Sequence, residues 1–139
     1  MAATFELSIA TPEKQFYEGE AECVILKTTS GEIGVLAGHV PSLVALAAAP
    51  LRVKKGDQWL EAALSGGFAE ITTDSVSILV DTAEWPEEIE VSRALEAKRR
   101  AEERMLVRQS EVEYIRSLVA LQRALTRITV AKGSGYKKT

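Results

Sequence analysis

"DSVSILVDTAEWPEEIEVSRALEAKRRAEER", residues 74–104, changes its hydrophobic period, and that change decides the fold. Before "EWPEE" at 84–88, Val76, Ile78 and Val80 alternate with their neighbours, the period of a strand with one face buried. After it, Ala94, Ala97 and Ala101 recur at spacings of three and four, with Met105 next on the same stripe, the period of a helix. Proline beside a cluster of glutamates is a natural junction between two such regions. We place a boundary there, giving one unit over 1–85 and a second over 86–139.

Toward the N-terminus the strand pattern continues. "TFELSIA" at 4–10 alternates Phe5, Leu7 and Ile9 against Glu6 and Ser8. "AECVILKTT" (21–29), "LRVKKG" (51–56) and "QWLEAALSGGFAEI" (58–71) are apolar or β-branched runs separated by turn residues. Short strands every 8–12 residues or so predict an all-β sandwich or barrel. Toward the C-terminus the spacing predicts a helix over Val91–Leu106. Glu96 with Arg100, Lys98 with Glu102 and Arg99 with Glu103 form i,i+4 pairs, each contributing about 0.2–0.5 kcal/mol. Ser110, with Glu113 three residues on, then starts a second helix that runs to about Ala131, ahead of the tail "KGSGYKKT". A stop and restart this close predicts an antiparallel hairpin. The fold class is therefore α+β: an N-terminal antiparallel β-sandwich followed by a C-terminal antiparallel two-helix hairpin.

The second helix carries more apolar surface than a hairpin needs. Tyr114, Leu118, Leu121, Leu125 and Ile128 form one stripe; Val112, Ile115 and Val119 form another, roughly 130° around the helix. One stripe is expected to pack on the first helix or the sandwich. The other either finds an alternative partner or packs inside the same compact form.

"TTSGEIGVLAGHVPSLVAL" at 28–46 holds Gly31, Gly34, Gly38 and His39, the one histidine. No Lys-Ser or Lys-Thr follows these glycines, so they are not a P-loop, and their spacing misses the dinucleotide fingerprint. His39 has no histidine or cysteine partner for a metal and no orienting acid and nucleophile. The glycines are expected to supply turn angles closed to other residues. Neither a catalytic nor a metal-ligating residue is expected anywhere in the chain. The single Cys23 lies between apolar neighbours, which predicts a buried thiol in a reducing compartment. The N-terminus lacks the basic start and apolar core of a secretory signal, and no apolar run is long enough to span a membrane.

The net charge of −3 hides an asymmetry: residues 1–84 carry five Lys/Arg against twelve Asp/Glu, and residues 85–139 carry twelve against eight. A net of −7 thus faces a net of +4. Eight acids among the hairpin's bases, with few aromatics to stack on, argue against nucleic acid as the partner.

"SGEIGVLAGHVPSL" (30–43), "LSGGFAEITTDSVSILVDTAE" (64–84) and "IEVSRALEAKRRAEER" (89–104), in this order and spacing, resemble the epsilon subunit of bacterial F-type ATP synthases over nearly the whole chain. The resemblance implies a central-stalk rotor subunit, peripheral to the cytoplasmic face of the bacterial membrane. Its sandwich would bind the gamma subunit and rest on the c-ring, through a loop matching Ser30, Gly31 and Glu32. Its hairpin would extend toward acidic segments of the beta subunits and restrain ATP hydrolysis; Arg104, Arg108, Arg116 and Arg123 suit such docking, or else form a solvated face. No cofactor is required, but ATP is a regulatory ligand of some relatives. Their Ile/Leu-Asp-x-x-Arg-Ala motif reads Ile89-Glu90-Val91-Ser92-Arg93-Ala94 here. The matching site would comprise Glu84, Ile89, Glu90, Arg93 and Ala94, with Arg100, Arg123 and Arg127. Glutamate at 90 departs from the aspartate of the motif and is the poorer helix cap. The competing reading pairs these arginines with nearby glutamates and leaves the chain a structural stalk adaptor.

Overall fold

A computed structural model describes residues 3–107 and 109–133. Ten strands come first: β1 (Phe5–Ala10), β2 (Gln15–Ala21), β3 (Cys23–Thr28), β4 (Gly31–Leu36), β5 (Ser42–Leu46), β6 (Ala49–Lys55), β7 (Gln58–Leu64), β8 (Gly67–Ile71), β9 (Ser75–Val80) and β10 (Ala83–Glu84). A 3₁₀ turn at Pro86–Glu88 leads into helices α1 (Val91–Val107) and α2 (Glu111–Lys132). The strands hydrogen-bond in the order β10-β7-β6-β3-β5-β8-β9-β1-β2, with β4 on β3. The link between the two halves is one pairing, Thr28 with Leu46, so the sheet folds over there and closes as a sandwich. Every pair is antiparallel except β1 with β9, the outer strands of the chain's first and last hairpins, which run parallel.

Alternation builds the interior as expected. Leu7, Ile9, Val24, Leu26, Leu51, Val53, Ile71, Val76 and Ile78 point inward and are almost wholly buried. Gly67 is required where β8 crosses β9: a Cβ there would lie 2.0 Å from the Leu79 carbonyl oxygen. Trp85 seals the exit from the sandwich, stacked on Phe16 at 4.4 Å between ring centroids.

Strands β2, β4, β5 and the two-residue β10 fall in stretches whose periodicity predicts none. Gly31 (φ 138°) and Gly38 (φ 82°) take the positive angles expected of turn residues, but Gly34 does not. It sits in mid-β4 opposite Ile25 as an ordinary strand residue. Cys23 is half-buried rather than sealed, against Lys54, Trp59 and Leu36. Burial pushes its thiol pKa up, and Lys54 offsets part of the rise.

The two-helix hairpin forms as the caps predict, Ser110 Oγ accepting a hydrogen bond from the Glu113 amide at 3.1 Å. Its packing corrects the expected stripes. The helices meet through small residues: Ala94 and Ala101 on α1, Ser117 and Ala124 on α2, all buried. Leu118, Leu125, Val112, Ile115 and Val119 are exposed instead, and Leu121 and Ile128 are only half-buried. Small residues let the backbones approach, which leaves no room in the seam for branched side chains and turns them outward. Val130 of α2 packs with Ile89 on Ala63 of β7, so the hairpin docks on the outer face of the sheet.

Candidate functional site

A groove of about 540 Å³ opens where α1 and α2 approach the end of the sandwich. One wall is Leu64 at the end of β7 and Ser65 just after it, with Thr82, Ala83 and Glu84. The other is Ala97 of α1 with Ala120, Arg123, Ala124 and Arg127 of α2, and the β1–β2 turn at Thr11–Lys14 closes one side. The sandwich wall is fixed by three hydrogen bonds between Ser65 and Thr82, including Thr82 N–H to Ser65 Oγ at 2.8 Å. The volume lies within the range of about 300–1,000 Å³ usual for small-molecule sites.

Charge is concentrated on facing walls. Arg127 Nε donates to Glu84 Oε1 at 2.7 Å and Nη2 to Oε2 at 3.2 Å, a bidentate fork between side chains each less than a third exposed. One turn back on α2, Arg123 Nη2 lies 3.6 Å from Asp81 Oδ2. Glu84, Arg123 and Arg127 are thus brought together, with Asp81 beside them. Glu90, Arg93 and Arg100 do not line the groove. Arg93 pairs with Glu90 at 2.8 Å, and Arg100 Nη1 lies 3.7 Å from Glu96. Ile89 and Ala94 serve packing: Ile89 caps the contact with Ala63, and Ala94 lies in the helix seam.

The second expected surface is the β3–β4 tip. Thr28 Oγ1 donates to the Gly31 carbonyl at 2.7 Å and accepts from the Ser30 amide at 3.1 Å, holding Ser30 and Gly31 outward. Glu32 is tied back by Arg52 at 3.3 Å, and Arg52 also reaches Glu61 of β7 at 3.4 Å. Arg104 is exposed near the end of α1, and Arg116 is exposed and paired with Glu113 at 3.4 Å. Arg108 lies outside the described residues. A third surface was not read from the sequence. Ala10, Leu79, Phe68 and Ala45 are cross-strand neighbours over β1, β9, β8 and β5, and Phe68 and Leu79 are 58% and 63% exposed.

Two family descriptions match the chain: "ATP synthase, Delta/Epsilon chain, beta-sandwich domain" over residues 4–86, and the long alpha-helix domain of the same chains over 87–132. The chain belongs to the ATP synthase delta/epsilon family. The ATP synthase epsilon chain of Ruminiclostridium cellulolyticum is 51% identical over 127 residues, spanning 91% of this chain and 95% of its own length. That of Caldanaerobacter subterraneus is 48% identical over 132 residues, spanning 94% and 96%. A chain of the Euglena gracilis mitochondrial ATP synthase (OSCP/F1/c-ring, rotational state 1) superposes with a TM-score of 0.81 at 26% identity, over 96% of this chain and 84% of that one. A central stalk/c-ring chain from Tetrahymena thermophila shares the fold at a TM-score of 0.57 and 14% identity, over 97% and 98%.

Within this delta/epsilon chain, sequence reasoning missed Asp81 and the apolar stripe. Asp81 meets its arginine 42 residues away, and no spacing rule links the two. Phe68 and Leu79 were legible as outward members of alternating strands, had β8 been given its own register. No helix of the described residues is long and apolar enough to cross a membrane.

Proposed function

We propose that the chain works as the epsilon subunit of the central stalk: its sandwich binds gamma and rests on the c-ring, coupling ion-driven rotation to ATP synthesis. Catalysis belongs to other subunits, and the chain is peripheral to the cytoplasmic face of the membrane through the complex. The observation that carries this reading is the exposed pair Phe68 and Leu79, flanked across β1 and β5 by half-buried Ala10 and Ala45, on a sandwich that α2 meets elsewhere, at Ala63 of β7. Large aromatic and aliphatic side chains left uncovered beside one another mark a protein interface. The Ser30–Glu32 tip is the surface we assign to the c-ring. The test is capture by purified gamma. The wild-type chain is expected to bind, and Phe68→Glu combined with Leu79→Glu to lose binding while keeping the wild-type circular dichroism. Equal capture of both would overturn the assignment.

The hairpin we assign to restraint of ATP hydrolysis through the beta subunits, with Arg104, Arg108, Arg116 and Arg123 as docking residues. Its exposed Val112, Ile115 and Val119 support a second packing arrangement outside the compact form. The groove supports ATP as its ligand, since Arg123 and Arg127 face a cavity walled by alanines. Arg93 and Arg100 would need to turn from Glu90 and Glu96 to join them. Calorimetric titration with ATP is expected to give saturable binding that Arg123→Ala abolishes. The competing reading, a structural adaptor with no sensing or inhibitory role, draws on the acid partner that each of these four arginines already has. Absence of binding at millimolar ATP would favour it.

A further inference from the structure

The geometry points to an exchange clasp in the groove: Asp81 and Glu84 hold Arg123 and Arg127 when no anion is present, and a triphosphate takes those arginines from them. The inference rests on the groove being the nucleotide site proposed above, and it changes what Glu84 does there. The family resemblance gives Glu84 to the nucleotide. The ion pair makes it the nucleotide's rival.

Three observations carry this. First, the clasp joins the two parts of the chain. Glu84 ends the sandwich on β10 and Arg127 lies 43 residues on, in α2, so their fork is an attachment of the hairpin to the sandwich. The acids stand on a fixed edge, because Thr82 and Ser65 are locked by reciprocal hydrogen bonds and Glu84 is in register with Ala63. Second, the donors are committed. A guanidinium has five N–H groups in one plane, and Glu84 occupies Nε and one Nη nitrogen of Arg127 in the fork geometry that a phosphate would use. Phosphate oxygens cannot take that edge while the carboxylate holds it. Third, the remaining cations are tied elsewhere. Arg93 and Arg100 pair with glutamates of their own segment, outside the groove lining. Lys14, at the mouth, lies 3.8 Å from Glu88.

Arg123 and Arg127 are one helical turn apart and face the same cavity. Each carboxylate holds one of them, whereas a triphosphate reaches both. The Asp81 pair, longer and with Asp81 largely exposed, opens first; the Glu84 fork, more buried, sets the resistance. The fork thus attaches the hairpin through side chains of the chain itself. A ligand exchanges one attachment for another and tunes how firmly α2 is held. It follows that neutralising the acids has two effects of opposite sense: the empty hairpin loosens, and the anion binds more tightly.

The experiment uses the full chain with Glu84→Gln, Asp81→Asn and both together. Without ligand, hydrogen exchange along α2 is compared with exchange in the sandwich. Inorganic triphosphate, ATP and adenosine are then titrated calorimetrically. In Glu84→Gln, α2 exchange is expected to rise and the triphosphate Kd to fall, each on the order of three- to tenfold, as for a partly screened charge pair. Asp81→Asn is expected to move both in the same directions by less, and adenosine affinity to stay put. Tighter binding of ATP than of triphosphate marks a nucleotide as the ligand. Equal affinities mark a polyphosphate of any source, and either result keeps the clasp. Unchanged α2 protection, or triphosphate binding that is unchanged or weaker in Glu84→Gln, overturns it. If the wild-type chain binds neither ATP nor triphosphate, the nucleotide reading fails. The exchange then fails with it, whereas wild-type binding that Glu84→Gln leaves unchanged or weakens overturns the exchange alone.

Discussion

Gly67 has no freedom to be anything else, because a methyl group there would meet the backbone of β9 and not a movable side chain. Gly67→Ala is expected to cost about 2 kcal/mol or more, read as a lower midpoint in chemical denaturation. Gly34→Ala is the matched control. Nothing lies within 4 Å of its added methyl and its φ is not positive, so its stability is expected to stay within about 0.5 kcal/mol of wild type. Cys23 gives a second test at this scale. Burial raises its pKa, so the folded chain holds the proton longer than the unfolded chain does. Alkylation by iodoacetamide is expected to reach half its limiting rate at a higher pH in the folded chain than in the same chain in denaturant. By linkage, the thiol's contribution is fully present below the unfolded pKa and is lost as pH rises through the folded one. The family resemblance grouped Arg123, Arg127 and Glu84, and the fold brings these three together. The resemblance could not reveal Asp81, whose role comes only from a neighbour brought by the fold.

Among the elements, the hairpin is the one whose packing departs from its pattern. Counting large apolar residues selected the Leu118–Leu125 face of α2, whereas the seam uses Ser117 and Ala124 against Ala94 and Ala101. Close approach of two helices rewards small side chains, and their spacing of seven on each helix was the signal available. Ala101→Leu is accordingly expected to pry the helices apart at a cost of about 1–3 kcal/mol. Hydrogen exchange would rise along α1 and α2 and stay unchanged in β1, β8 and β9. Ser110→Ala removes the acceptor at the start of α2 and is expected to cost about 1 kcal/mol, with faster exchange at Glu113. Strands β2, β4 and β5 escaped the periodicity for a related reason. β2 is the end of the sheet path, β4 pairs with β3 alone, and β5 turns Leu43 outward. Each buries only one or two side chains, Phe16 and Ala21 in β2, Val35 in β4 and Leu46 in β5, too few to print a run of strict alternation. The strands with strict alternation, β1 and β9, were legible because both ends of that rule, buried and exposed, applied to them.

At the scale of the whole molecule, acids of the sandwich meet arginines of the hairpin where Asp81 and Glu84 face Arg123 and Arg127. Arg93, Arg99, Arg100 and Arg116 pair instead with glutamates of their own segments. In the function proposed above, the sandwich would hold the stalk, and the hairpin would leave its dock to restrain the motor. Raising salt is expected to weaken hairpin docking without melting the sandwich, since the Asp81 pair is screened and the sandwich core is not. The most direct measurement is ATP hydrolysis by the reconstituted catalytic complex, carrying either the full chain or residues 1–85 alone. Our account predicts that both are retained on gamma and that the truncated form hydrolyses ATP faster. Equal rates, with both forms bound, would contradict it.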